Sequence, residues 1–390
     1  MSLKTSVLSS EAVSPGHPDK VCDLVAESLY AELRKSNPKV RFACDGLIKN
    51  NVIVLGGELS ARLSSEEEDK VILRALESVG YGSEYLEEMG FPGWEIHKIF
   101  TEQSPDISRG VDLQGSRIGA GDVGFMYGYA SRYSPDNTYV PYFIAKFFMR
   151  KLWGLWREGD QLFSGLRSDM KCICSVEYYK GVPQRLRTVT LCLSHSVLWD
   201  KDDIMEAIAP VVEDCLECVS DYLNIDVEDV KINLNPTGAF ALYGSAADSG
   251  QVSRKIVNDQ GGRGLVGGGG IVAKDFTKVD RVGVYGARNY AKRIVNYGLA
   301  DEAAVQLSYE IGEPSPLSVS VELKGASSSA KKYVSQEISQ VDFTVSGIIN
   351  KFNLWSLPEI AHQECAMWGS VGSSMKEVIS GGYIFPWELV

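Results

Sequence analysis

The sequence predicts an α+β fold with mixed or antiparallel sheets. Strand-like runs come mostly in hairpin pairs, and helical patterns fall between the pairs. That arrangement favours α+β over a doubly wound parallel sheet, whose strands would be separated one by one by crossover helices.

Pro18 and Asp19 open a helix predicted over residues 18–33, with Val21, Leu24, Val25 and Leu29 on one face and proline in the first turn, where its missing N–H costs nothing. Strands follow at 40–44 and 52–55, with Asn50 and Asn51 as turn material, then a helix at 65–79. Residues 103–137 are rich in Gly, Ser, Asp and Pro and read as a long loop, which in a compact chain points to function. A strand pair at 172–179 and 186–193, a helix at 203–223 and a strand at 230–234 come next. Glycine and charge dominate 235–280. A helix is predicted over 282–297, ended by Gly298. Two clean alternations, Val305-Leu307-Tyr309-Ile311 and Leu317-Val319-Val321-Leu323, read as strands with one buried face.

The 390 residues suffice for two or three domains, and 44% apolar with 23% charged residues is ordinary globular composition. No stretch approaches the ~20 apolar residues of a membrane span, and the N-terminus lacks a signal-peptide core, so a cytoplasmic protein is expected. A net charge of −12 argues against broad nucleic-acid binding. The eight cysteines read as small hydrophobes in a reducing compartment. Cys215 and Cys218 form a C-x-x-C, but two thiols inside an amphipathic helix do not complete a zinc site.

Three segments carry chemistry. In Ser14–Lys20 (SPGHPDK), His17 and Asp19 flank a helix start, where free N–H groups favour an anion and a carboxylate can hold magnesium. Gly119–Gly124 matches G-x-G-x-x-G, but no buried strand precedes it and no convincing crossover helix follows, so a dinucleotide site is rejected; no P-loop sequence exists either. Residues 250–281 place Arg254, Lys255, Arg263, Lys274, Lys278 and Arg281 in a glycine-rich frame with Asp248, Asp275 and Asp280 interspersed, the composition of a polyphosphate–magnesium site.

SPGHPDK, Gly56-Gly57-Glu58, Gln103-Ser-Pro-Asp-Ile, Gly119-Ala-Gly-Asp122, Asn235-Pro-Thr-Gly, Arg254-Lys255-Ile, the Gly267 run leading to Lys274-Asp275, and Thr277-Lys-Val-Asp-Arg281 resemble, in order and spacing, the S-adenosylmethionine synthetase family. The resemblance runs from about residue 11 to 325. It implies three structurally similar α+β domains, laid out as 1–104, 112–232 and 233–390 and sharing segments in space. It implies formation of S-adenosylmethionine from ATP and L-methionine, followed by hydrolysis of the bound triphosphate to pyrophosphate and phosphate. Carried over by residue, His17 resembles the group near the leaving oxygen, with Lys171, Arg254 and Lys274 also catalytic. Lys171, Arg254, Lys255, Lys274 and Lys278 resemble the triphosphate cage. Glu58 and Gln103 resemble the methionine-binding pair. Glu11, Asp122 and Asp248 resemble groups around adenosine and methionine, and Phe240 the adenine-stacking ring. Asp19 and Asp280 resemble ligands of two Mg²⁺ ions per site, and Asp45 stands where the family binds K⁺ through a glutamate. The family's 105–121 loop acts as a lid, and its members form homodimers or homotetramers with active sites at the dimer interface.

The chain departs from the family pattern at Ala239, where an arginine is usual, along 244–262, at 271–273 and at 367–372. Those departures leave a catalytically silent or altered-substrate paralogue, binding nucleotide and a partner subunit, as the alternative reading.

Overall fold

The computed structural model describes residues 5–102, 117–372 and 382–390. The chain order is β1 (Thr5–Val13), α1 (Pro18–Ser36), β2 (Phe42–Lys49), β3 (Val52–Leu59), α2 (Ser65–Ser78), α3 (Ser83–Glu88), β4 (Glu95–Thr101), β5 (Gly124–Ser131), α4 (Val140–Glu158), β6 (Leu166–Tyr179), β7 (Val182–His195), α5 (Lys201–Leu223), β8 (Lys231–Leu234), α6 (Gly244–Ala247), β9 (Gly250–Gln251), α7 (Ile256–Asp259), α8 (Val279–Asn296), β10 (Glu302–Tyr309), β11 (Ser318–Lys324), α9 (Ser328–Glu337), α10 (Val345–Lys351) and α11 (Glu359–Trp368).

The strands form three sheets in the orders β1-β6-β7-β8, β11-β10-β5 and β4-β3-β2-β9. The first and third are mixed, because β7–β8 and β3–β4 run parallel; the second is antiparallel throughout. Each sheet recruits a strand from a distant stretch of sequence. β1 pairs with β6, β9 with β2, and β5 with β10.

The α+β expectation holds, with shifts that matter for the site. β6 begins at Leu166 rather than 172, which places Asp169 and Lys171 on a strand. The stretch expected as loop contains β5. There Gly128 lets α8 lie directly on the sheet, since an added Cβ would sit 2.1 Å from the Ala287 carbonyl carbon. The Gly119–Gly124 match is thus followed by a strand and not by a crossover helix, consistent with rejecting a dinucleotide site. β2 runs on to Lys49, and Asn50 turns the hairpin at φ 52°.

α1 is buried almost all round. Its apolar face packs on the third sheet, α2 and α11. Three of its four acids are buried as well. Asp19, Asp23 and Glu27 recur every fourth residue and so share one stripe. Each accepts a backbone N–H from the glycine-rich segment: Gln251 at 2.9 Å, Ser253 at 2.7 Å and Ala273 at 2.6 Å. Each also has a cation: Lys255 on Asp19, Lys20 on Asp23 and Arg281 on Glu27. Arg281, grouped by sequence with the phosphate cations, is therefore a buried structural residue.

At the other end of α8, Arg288 forks onto Glu388 and Lys292 adds a third contact. Trp387 stacks between Tyr285, centroids 3.6 Å apart, and Phe385 at 4.6 Å. The C-terminal residues thus clamp the helix whose first turn carries Asp280. Burial alone would raise the Glu388 carboxyl, but Arg288 and Lys292 hold it down to about 2. A carboxyl depressed on folding stabilises above its unfolded value of about 4.3, and that contribution is lost as pH falls toward 2. Glu388→Gln leaves a buried guanidinium unpaired and should cost about 3–5 kcal/mol at pH 7. Denaturant unfolding should show this cost unchanged between pH 7 and 5 and smaller at pH 3, where the unfolded chain's carboxyl is protonated while the folded one is still ionised.

Candidate active site

The first cluster is built on the N-terminus of α1. The loop before it is pinned to β6: Ser14 Oγ donates to the Ser168 carbonyl at 2.6 Å, and a Cβ on Gly16 would lie 2.4 Å from that same oxygen. Tyr81 Oη donates to the Gly16 carbonyl from the other side. His17 is the N-cap, and its Nδ1 accepts from the Asp19 N–H at 3.2 Å. A nitrogen that accepts carries no proton, so the neutral ring holds its hydrogen on Nε2. Burial, reinforced by the Lys255 ammonium, pushes the imidazole down to about 3, so it is neutral at pH 7.

Asp19 is 1% exposed. Its Oδ2 holds Lys255 Nζ at 2.6 Å, and Arg254 lies 3.9 Å from Oδ1. Lys171 on β6 pairs with Glu11 on β1 at 2.7 Å, on the same outward face. Asp169, two residues earlier, accepts the Gly244 N–H at 2.9 Å. Burial lifts its carboxyl to about 7, with Asp248 and Asp19 adding repulsion. Sequence reasoning does not pick Asp169, since nothing but its spacing from Lys171 marks it. Asp248 sits exposed in the adjoining turn.

The second cluster is built on the N-terminus of α8. Lys278 is the N-cap and no side chain caps the helix, so its first N–H groups remain available to an anion. Asp280 lies in the first turn, and its Oδ2 holds Lys274 Nζ at 2.6 Å. Glycines fit this turn closely. A Cβ on Gly269 would stand 2.1 Å from Asp280 Cγ, and one on Gly270 would stand 1.8 Å from Ser253 Oγ. Gly121 donates to the Thr277 carbonyl and packs against Lys278, which brings exposed Asp122 alongside.

The third sheet carries the remaining residues. Ala43 opposes Glu58 on one side and Lys274 on the other, so Glu58 and Lys274 share a face two strands apart, about 10 Å. Asp45, two residues on, shares that face and is exposed. Phe240 is held at the end of β7, donating its N–H to His195 Nε2 at 2.8 Å, and has no described contact with either cluster. Gln103 and most of the expected lid lie outside the described residues.

Besides Arg281, two more residues counted by sequence with the site do other work. Asp275 is fully buried and spent on Phe42 N–H, Thr277 N–H and Thr277 Oγ1. Arg263 stands over the rings of Tyr139 and Tyr129. Cys215 is buried and Cys218 half-buried on α5, and all eight cysteines are free. Among the described residues no three His, Cys, Asp or Glu side chains converge as a metal cage, and no helix is long and apolar enough to cross a membrane.

Two helix N-termini, one capped by histidine and one without a side-chain cap, each carry a buried acid holding a lysine, an arrangement that suits a polyanion. Three family profiles match the chain: the N-terminal domain of S-adenosylmethionine synthetase over residues 5–105, the central domain over 117–240 and the C-terminal domain over 242–388. An S-adenosylmethionine synthase of Sulfurovum sp. (strain NBC37-1) is 34% identical over 354 residues, covering 89% of each chain. One of Brachyspira hyodysenteriae is 33% identical, covering 99% of this chain and 96% of its own. A solved structure described as an unusual S-adenosylmethionine synthetase from Campylobacter jejuni superposes with a TM-score of 0.84 at 29% identity, covering 98% of this chain and 96% of the other. The chain belongs to the S-adenosylmethionine synthetase family, which makes it a transferase of the ATP:L-methionine S-adenosyltransferase class.

Gly269→Ala forces the Asp280 carboxylate to move. Because a misplacement near 1 Å can cost about 100-fold in rate, turnover should fall by about that factor while the melting temperature changes little. Steady-state assays beside a thermal melt check this.

Proposed function

We propose that the chain joins ATP and L-methionine into S-adenosylmethionine, then cleaves the triphosphate to pyrophosphate and phosphate before release. The observation that carries the reading is His17. It is partly buried, neutral and protonated on Nε2, at a helix N-terminus among Asp19, Lys255 and Lys171. The methionine sulfur lone pair forms a bond to C5′ of ATP, the C5′–O5′ bond breaks, and its electron pair stays on the triphosphate. A thioether is already nucleophilic, so no general base is needed. What the reaction needs is alignment and donors at the developing charge. His17 offers an N–H toward the leaving oxygen without itself carrying charge. Lys171, Arg254, Lys255, Lys274 and Lys278 neutralise the departing chain. Glu11, Asp122 and Asp248 orient methionine and adenosine, Glu58 and Gln103 bind methionine, and Phe240 stacks on adenine.

Asp19 and Asp280 fit a hard cation, being buried carboxylates that present oxygen alone and each rest one oxygen on a lysine ammonium. They would hold two Mg²⁺ ions, which when bound would spread the charge of the leaving triphosphate. Asp45 offers K⁺ one exposed carboxylate with no second acid beside it among the described residues, so no step is derived through potassium.

The face of the third sheet that carries Glu58, Asp45 and Lys274 also exposes Ile99 (66%) and Leu47 (37%). Apolar side chains beside site residues support a second copy covering this face, giving a homodimer or homotetramer with the sites at the interface. Sedimentation velocity resolves the two states, and a monomer at assay concentration removes this reading. Free cysteines support a cytoplasmic setting.

Asp280→Asn should abolish both steps, and His17→Asn should slow sulfur attack by about 10²–10³, the cost of one donor at a developing oxyanion. Product and phosphate release are followed separately; near-normal turnover in either variant contradicts the assignment.

A further inference from the structure

Ala273 has φ +57°. A residue with a Cβ takes that left-handed conformation only when its surroundings impose it, and such strain collects at functional segments. Ala273 immediately precedes Lys274, and side-chain hydrogen bonds on both sides of that lysine trace back to one residue. Glu27 Oε2 accepts the Ala273 N–H at 2.6 Å. The same carboxylate takes both arms of Arg281, Nη2 to Oε1 at 2.6 Å and Nη1 to Oε2 at 3.2 Å. Arg281 Nη1 also donates to the Lys274 carbonyl at 2.7 Å. The backbone on both sides of the Lys274 side chain is therefore tied to Glu27, once directly and once through Arg281.

Glu27 is itself fixed. His362 Nε2 contacts Arg34 Nη1, and a guanidinium only donates, so Nε2 accepts and the ring proton sits on Nδ1. Nδ1–H then donates to Glu27 Oε1 at 2.5 Å. Arg34 in turn donates to the carbonyls of Leu354, Trp355 and Leu357. Glu27, Arg281 and His362 are all at most 1% exposed and lie behind the site. The edge of β2 completes the frame, with Cys44 N–H donating to the Ala273 carbonyl at 3.0 Å and Asp275 N–H to the Phe42 carbonyl at 2.8 Å.

We propose that Glu27 is a positioning residue for Lys274. It holds Ala273 in its strained conformation, so that the lysine ammonium is delivered to Asp280 and to the leaving triphosphate. This rests on the reading above, in which Lys274 stabilises that triphosphate. Losing the Glu27 contact lets Ala273 relax to negative φ and swings Lys274 off the site, without removing any group that touches substrate.

The test is a double-mutant cycle on the full chain with Glu27→Gln, Lys274→Ala and the pair, measuring kcat and the KM for ATP and for methionine. Lys274→Ala should lower kcat by about 10² or more. Glu27→Gln should lower kcat about tenfold or more with both KM values within about threefold, because the lost contact acts in the transition state. If Glu27 acts through Lys274, the double variant should be no slower than Lys274→Ala alone, within about twofold. Losses that multiply overturn the proposal, as does an unchanged kcat in Glu27→Gln. A normal kcat in Lys274→Ala would instead remove the lysine from the reaction, which is failure of the underlying reading. Should Glu27→Gln fail to fold by circular dichroism, Glu27→Asp runs the same cycle. It keeps the charge for Arg281 but is too short to reach Ala273 as well, and the same outcomes apply.

Discussion

Asp19, Asp23 and Glu27 stand one turn apart along α1, and each accepts a backbone N–H from the segment between 250 and 274. That segment has little regular structure and much glycine, so it cannot fix itself. The acids fix it, and each is neutralised on the spot by a lysine or arginine. Buried ion pairs contribute little net stability, whereas removing one partner costs about 3–5 kcal/mol. What the stripe provides is a unique path for the glycine-rich chain. Gly250 reinforces it, since a Cβ there would lie 2.1 Å from the Pro18 carbonyl.

The same pairing logic reaches the candidate site. Lys255 rests on Asp19 and Lys274 on Asp280, each at 2.6 Å, so neither cluster carries a large unbalanced charge. In the proposed reaction a polyanion with its own cations would exchange with these pairs, giving its phosphates to the lysines and its metals to the aspartates. Cations held in place need little reorganisation when charge develops on a leaving group. His17 completes the set as a neutral donor, kept so by burial and by Lys255. The chemistry of a thioether nucleophile is consistent with a site rich in cations and poor in proton carriers.

Much of this was legible in the sequence, and the remainder was hidden for physical reasons. The apolar face of α1 and its proline start gave the helix. Its acids would ordinarily mean a solvated face, and nothing local reveals that a segment more than 200 residues on covers them. β6 was expected only where its side chains are apolar, yet it continues through Ser168, Asp169 and Lys171, whose polarity breaks the apolar pattern. β5 was obscured by Gly124 and Gly128, and α4 opens on Val140-Pro141 directly after the Gly-, Ser-, Asp- and Pro-rich stretch that reads as loop. Composition marks 250–281 as charged but does not separate Lys274, which pairs with Asp280 at a helix N-terminus, from Arg281 and Asp275, which are spent inside the fold. The motif-level resemblance carried the family, and the structure supplies the frame that aims each residue.

The most direct test of the account is product analysis of the wild-type protein incubated with ATP, methionine and Mg²⁺. Mass spectrometry and phosphate assays should find S-adenosylmethionine, pyrophosphate and phosphate released in equal amounts, with no free triphosphate accumulating. Tight ATP binding without any sulfonium product would contradict it and leave a nucleotide-binding paralogue that retains the frame but not the reaction.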